Sequence, residues 1–230
     1  MAPRPKAWLA WSTGKDSAWA LHTLRQRREF DVVALLTTVN QTHSRVAMHA
    51  VRESLLEIQA DAAGLPLITV PIPSPCSNEI YESAMAVAMK RARDDGVTHV
   101  AFGDLFLEDI RRYREEKLAA CGMTPLFPIW RSDTRALAEE MLAAGLRAIV
   151  TCVDPSRLSR EFAGKIWNEA FVRELPSTVD PCGENGEFHT FAFAGPMFER
   201  TICIEPGQIV ERDGFVFADV LPCEADGSRG

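Results

Sequence analysis

Three short stretches hold residues whose types and spacing could do chemistry. "WSTGKDS" (11–17) sets Ser12, Thr13, Gly14, Lys15, Asp16 and Ser17 between an apolar run and a segment of helical spacing. Hydroxyl donors, a glycine that lets the backbone approach closely and a full positive charge are what phosphate oxygens need. A helix N-terminus adds free N–H groups and a partial positive charge. Asp16 would repel phosphate unless it orients donors or helps to hold a divalent cation, so Mg²⁺ is the expected companion. Gly103 and Asp104 end a second apolar run, where a carboxylate could meet Mg²⁺ or a substrate amine. "DPCGENGEFHT" (180–190) gathers Asp180, Cys182, Glu184, Glu187 and His189 around two glycines. Such density in a tight loop points to a ligand. Glu184 and Glu187 are the candidates for binding a cationic group or for taking a proton. Cys182 and His189 have no partner at metal-ligand or nucleophile spacing.

The elements around these stretches must bring them together. Residues 7–11 read as a short buried strand and 17–28 as a helix with Ala20, Leu21 and Leu24 on one face. "VVALLTTV" (32–39) has the continuous β-branched character of a strand covered on both faces. A helix over 51–64 is stopped by Gly64 and Pro66, a strand follows at 67–72, and 78–95 is helical up to Gly96. Residues 98–104 form a strand running into Asp104, 147–153 a fifth strand, and 107–121, 133–144 and 159–173 helices. This alternation predicts an α/β fold over residues 1–173, a parallel sheet wound on both faces. Ligands bind beyond the carboxyl ends of such strands, so 12–17 and Asp104 fall at one edge. From 174 to 230 the pattern changes to short strands at 189–194, 200–204, 208–211 and 214–220. A small β-rich C-terminal portion facing the substrate is expected there.

Composition narrows the partners. A net charge of −7 argues against nucleic acid as the main one. No stretch approaches the roughly 20 apolar residues of a membrane span, and the start has no cleavage-like segment, so a cytoplasmic protein is expected. Six cysteines without a CxxC pair argue against a zinc module and a disulfide framework. Only five of the 25 basic residues are lysines, so a lysine in the first turn stands out. The loop 40–50 holds His43, Arg45 and His49, with Arg45 the candidate for an anion. His22 and His99 read as structural. The charges of 107–121 read mostly as a solvated helix face with i,i+4 pairs such as Glu108 and Arg112. Self-association as a homo-oligomer is left open.

The Walker A and GxGxxG spacings are absent, and an ordinary βα turn with a serine cap is the competing reading of 12–17. "STGKDS" resembles the SGGKDS loop of the PP-loop ATP pyrophosphatases, also called adenine nucleotide alpha hydrolases, with Thr13 in a glycine position. "GDLFLEDIRRYREEKLAACGMTPLFPIW" and "DPCGENGEFHT" resemble the diphthine–ammonia ligase family, with similarity over residues 6 to about 198. Glu184, Asn185, Gly186 and Glu187 match its EGGE element. Asn185 for glycine, "FHT" for "YET" and the missing SxYQ pattern mark a divergent branch.

The resemblance implies a PP-loop, HUP-like fold and an ATP-dependent, AMP-forming ligase. Such an enzyme adenylates a carboxylate (or carbonyl) acceptor and aminates it with ammonia. It implies ATP and Mg²⁺ as cofactors, with Ser12, Thr13, Gly14, Lys15, Asp16, Ser17, Gly103 and Asp104 on the nucleotide. Lys15, Asp16, Glu184 and Glu187 would be catalytic, and Asp16 and Asp104 would meet Mg²⁺. The acceptor, a small molecule or a protein side chain, is not identified by these residues. Ala2 is not the N-terminal cysteine of one glutaminase class, so free ammonium or a partner's ammonia is expected. The alternatives are another PP-loop reaction, on a small metabolite or a tRNA base, and a non-enzymatic adenine-nucleotide-binding protein.

Overall fold

The computed structural model describes residues 3–41, 45, 46 and 51–223. In chain order the elements are β1 (Lys6–Ala10), α1 (Lys15–Arg27), β2 (Asp31–Asn40), β3 (Arg45–Val46), α2 (Glu53–Ala62), β4 (Leu67–Ile72), α3 (Asn78–Asp94), β5 (Val97–Ala101), α4 (Glu108–Ala120) and β6 (Thr124–Leu126). Then come α5 (Thr134–Ala143), β7 (Arg147–Val153), β8 (Ile166–Trp167), α6 (Glu169–Glu174), β9 (Phe188–Ala194), β10 (Ile204–Arg212) and β11 (Phe215–Pro222). The apolar runs read from the sequence are strands because both faces of each find cover. Ser77, Asp133 and Asn168 cap α3, α5 and α6 by accepting from Ile80, Ala136 and Phe171 N–H groups.

The first sheet is parallel in the order β4-β2-β1-β5-β6, with β3 added antiparallel at the end of β2. The chain leaves β1 towards β2 and β4 on one side and later towards β5 and β6 on the other. The order therefore reverses between β1 and β5, and a crevice opens beyond their carboxyl ends. Helices α3 and α4 cover one face, where Trp8, Leu36, Val100 and Phe102 pack on Ala88, Met89 and Leu118. Helices α1 and α2 cover the other, in a larger core that continues into the second sheet. The doubly wound parallel fold read from the sequence is present.

The second sheet is antiparallel. Strand β7 lies at its centre, paired with β9 along one edge and with β8 and β11 along the other, and β10 follows β11. Three expectations are corrected here. The fifth strand, 147–153, belongs to this sheet and not to the parallel one, so the sheets part between β6 and β7 and not after residue 173. Residues 159–173 are not one helix: a 3₁₀ turn at Arg160–Phe162, β8 and α6 replace it. Gly164 at φ +78° breaks the run, and its N–H donates to Val150 O of β7. The expected strand at 200–204 is absent up to residue 203, and the one at 208–211 is part of a longer strand, β10, that starts at Ile204. A further correction concerns the cysteines. Cys203 and Cys223 form a disulfide between the outer ends of β10 and β11, while Cys76, Cys121, Cys152 and Cys182 are free. No described helix is long and apolar enough to cross a membrane.

Candidate active site

The loop after β1 is fixed from behind before any ligand is considered. Thr13 lies in the left-handed region at φ +70° and is wholly buried. Its carbonyl accepts from Ala192 N–H of β9 at 2.9 Å, and the Lys15 N–H donates to Thr190 Oγ1 at 3.1 Å. Ser12 Oγ donates to Ser17 Oγ at 3.2 Å, and Ser17 Oγ donates to Gly14 O at 3.0 Å. The second sheet thus braces the opening turn of α1 and directs its front towards the crevice.

A cavity of about 590 Å³ fills that crevice. Ser12, Lys15, Asp16 and Ser17 line it, whereas Thr13 and Gly14 do not, so the Thr13 side chain is not the added phosphate contact that its position implied. Lys15 is also placed differently from a free phosphate ligand. Its side chain is 1% exposed, and Nζ donates to Asp16 Oδ2 at 2.9 Å and to the carbonyl of Cys182. The ammonium lies 5.3 Å from the Phe188 ring centroid and 5.7 Å from that of Trp167. Burial pulls its pKa down, but Asp16 and the other acidic neighbours more than offset that and hold it above the ordinary lysine value. The lysine is a charged pin between the loop and the C-terminal layer.

Gly103 meets the same turn from the side. A Cβ there would sit 2.8 Å from the Asp16 carbonyl carbon and the Ser17 nitrogen, both backbone atoms that cannot swing aside. Only glycine lets the end of β5 abut α1 this closely. Gly103→Ala is expected to cost about 1–3 kcal/mol of stability through overpacking, read as a lower denaturant midpoint at unchanged slope. An unchanged midpoint would show that the contact is loose.

Asp104, expected to meet Mg²⁺ or an amine, is committed to Arg114. The guanidinium Nη2 donates to Oδ1 at 3.1 Å, Nε lies 2.6 Å from Oδ2, and the group stacks 4.2 Å over Phe102. Arg114 is a cavity residue that the sequence reading assigned to a solvated face. Its α4 neighbours do face solvent, although Arg112 pairs with Asp109 and Glu108 with Arg131. No group of three or more His, Cys, Asp or Glu side chains among the described residues is arranged to hold a metal. Asp16 Oδ1 remains a buried carboxylate oxygen without a partner, at the cavity wall. One such oxygen fits a Mg²⁺ ion carried mainly by phosphates and water.

The acidic loop divides its carboxylates between two tasks. Asp180 Oδ1 accepts from the N–H groups of Cys182 and Glu184 at 2.9 and 3.3 Å, and Thr134 Oγ1 donates to Oδ2 at 2.6 Å. Glu187 Oε1 accepts from Asp180 N–H and Asn185 Nδ2, both at 3.1 Å. Glu187 is 3% exposed and does not line the cavity, so the carboxylate expected to do chemistry braces the loop instead. Glu184 does line it, and its Oε1 accepts from Leu105 N–H at 2.7 Å. Burial pushes the Glu184 carboxyl up to about 7, helped by Asp16 and Asp104 and opposed by the Leu105 N–H and Lys15. Cys182 is buried with its thiol driven up by burial, which suits no nucleophile. Burial, with Lys15 nearby, lowers His189 to about 4 and keeps the imidazole neutral at pH 7. His22 and His99 pack on Trp19 and Phe30 as structural groups. His43, His49 and the Arg45 side chain lie outside the described residues.

The Glu184 shift has a consequence for stability. Its carboxyl holds a proton more tightly folded than unfolded, where the ordinary value is 4.5. Between about 4.5 and 7 the native state binds the extra proton, so this group's contribution to stability falls as pH rises and is flat above. Glu184→Gln keeps the acceptor for Leu105 N–H and removes the titration. The variant is expected to gain on the wild type between pH 5 and pH 8 in paired denaturant titrations. A constant difference across that range would place Glu184 in solvent.

Comparison with known proteins bears on this arrangement. A family model described as the diphthamide synthase N-terminal domain matches residues 5–125, and the corresponding C-terminal domain matches 133–218. The chain belongs to the diphthamide synthase family. Among relatives of this family, a diphthine–ammonia ligase of Danio rerio is 30% identical over 181 residues, 72% of this chain and 71% of the relative. Those of Bos taurus and Homo sapiens are 25% and 24% identical, covering 72% and 77% of this chain and 67% and 68% of their own lengths. The two matched domains meet at the cavity: the diphthamide synthase N-terminal domain supplies Ser12, Lys15, Asp16, Ser17 and Asp104, the C-terminal domain Glu184.

Sequence reasoning missed Gln59, Thr190 and the aromatic walls around Lys15. A signal existed for Gln59, which occupies the apolar stripe of α2 with Leu55, Leu56 and Ala62. Nothing in the local pattern marks Trp167 or Phe188.

Proposed function

We propose that this protein is an ATP-dependent, AMP-forming ligase that adenylates a carboxylate acceptor and aminates it with ammonia, acting in the cytoplasm. The observation that carries the reading is one cavity shared by the turn at the α1 N-terminus and the Glu184 carboxyl, close enough that Asp16 helps to raise the latter. The names of the relatives, diphthine–ammonia ligase, state a ligation with ammonia, which supports the amination half of this reading.

Oxide is a poor leaving group from a carboxylate, and transfer of AMP turns it into a stabilised phosphate. The first turn of α1, with Ser12 and Ser17, would hold the departing pyrophosphate. Mg²⁺ on Asp16 Oδ1 and the phosphates would offset negative charge. Asp104 and Arg114 would wall the side towards α4. A carboxyl with a pKa near 7 is matched to taking a proton from ammonium as it becomes the attacking amine, the role assigned to Glu184.

The test uses ATP labelled at the α-phosphate, Mg²⁺, ammonium and a diphthine-bearing protein as the acceptor probe. AMP and pyrophosphate in step with amide formation are expected, and hydroxylamine should replace ammonium to give a hydroxamate. ADP and phosphate as primary products would overturn the AMP-forming reading. Tight nucleotide binding with no turnover on any carboxylate acceptor would favour the non-enzymatic alternative.

A further inference from the structure

Gln59 is the least expected residue behind the site. It sits in the middle of α2, wholly buried, with no part in the cavity lining. Its amide makes three hydrogen bonds to three separate segments. Trp11 Nε1 donates to Oε1 at 2.6 Å, while Nε2 donates to Thr13 O at 3.0 Å and to Ala192 O at 2.6 Å. The indole is a donor only and the two carbonyls acceptors only, so the amide has one orientation that satisfies all three.

The segments it joins are the end of β1, the 12–17 loop and β9. Between them stands Thr13 at φ +70°, a conformation that a β-branched residue rarely adopts, with its Oγ1 buried and unpartnered. Nothing in the threonine favours that geometry. The Thr13 carbonyl is nonetheless held from two sides, by Gln59 Nε2 and by Ala192 N–H. If the carbonyl turned away, Gln59, which is wholly buried, would lose an acceptor.

We infer that Gln59 is a positioning residue: its amide holds Thr13 left-handed and so keeps Ser12, Asp16 and Ser17 at the cavity wall. A glycine at position 13 would adopt the same backbone without help, so the clamp is what lets this chain carry threonine there. The inference rests on the nucleotide reading above for one of its two readouts only.

Gln59→Met keeps length and apolar packing while removing every bond. Hydrogen exchange of the Gly14, Lys15 and Asp16 amides is expected to quicken at least tenfold, with strand amides of β2 unchanged. Affinity for Mg²⁺ with the non-cleavable analogue AMPCPP is expected to fall at least tenfold. Thr13→Gly added to Gln59→Met should restore most of that affinity, which a general loss of core packing would not allow. Should Gln59→Met fail to fold, Trp11→Phe removes only the bond that orients the amide and should give a smaller acceleration of the same amides. Unchanged loop exchange in the variant that folds, or an affinity that Thr13→Gly leaves unrestored, would overturn the inference. A wild-type protein that binds no AMPCPP would sink the nucleotide reading, and loop exchange alone would then decide the role of Gln59.

Discussion

Replacing Lys15 by methionine is expected to lower the denaturant midpoint strongly and to loosen the acidic loop. Methionine runs along the same path between Trp167 and Phe188 and makes favourable sulfur–aromatic contacts, so little of the effect is a cavity. What is lost is the charge. The Cys182 carbonyl would lose a charged donor and Asp16 Oδ2 its ion-pair partner, in a place where the lysine is 1% exposed. Removing one member of a buried pair typically costs on the order of 3 kcal/mol. Asp16 keeps some solvent contact, at 24% exposed, which places the expectation at the lower end of that scale. A lysine that served only phosphate would behave in the opposite way. Its removal would relieve a buried charge, leaving the midpoint unchanged or higher, while Mg²⁺-ATP affinity dropped. Measuring midpoint and affinity on the same variant separates the two. A stable Lys15→Met protein that no longer binds nucleotide would return the lysine to the phosphates.

The second large effect is expected from the contrast between Glu184 and Glu187. Glu184→Gln retains the bond from Leu105 N–H but has no proton-accepting carboxylate in the cavity. Product formation with ammonium should fall by about 100-fold, roughly 3 kcal/mol of barrier, within the range for general acid–base groups. Stability at neutral pH should hold or rise, because the carboxylate it replaces is disfavoured there by burial. Glu187→Gln should show the reverse. Its Oε1 bonds to Asp180 N–H and Asn185 Nδ2 can persist, but the buried, unpartnered Oε2 becomes an amide donor with no acceptor. Early melting with turnover per folded molecule nearly intact is the expected outcome. Equal losses of turnover at constant stability in both variants would show that the two carboxylates act together, against the placement of Glu187 behind the loop.

What the chain determined by itself is local. The continuous apolar run at 32–39 could be satisfied only as a strand covered on both faces, and the helical periods between the strands forced crossovers, hence a parallel sheet. The turn at 12–17 and the glycines of 180–190 are legible because hydroxyls, glycine and charge at close spacing have few other uses. Tertiary structure decided everything that depends on which surface meets which. The run at 147–153 is equally apolar in either sheet; only pairing with β9 and β11 placed it in the antiparallel one. Asp104 looked free until α4 brought Arg114 onto it, ten residues along the chain. Glu184 and Glu187 are three residues apart and alike in type, but the loop turns one into the cavity and the other into its own backbone. Lys15 is a cation in a turn by sequence and a pin between layers by structure, because the Cys182 carbonyl that receives it comes from 167 residues away. Local patterns are read along the chain, whereas the partner of a buried charge is chosen by packing across it.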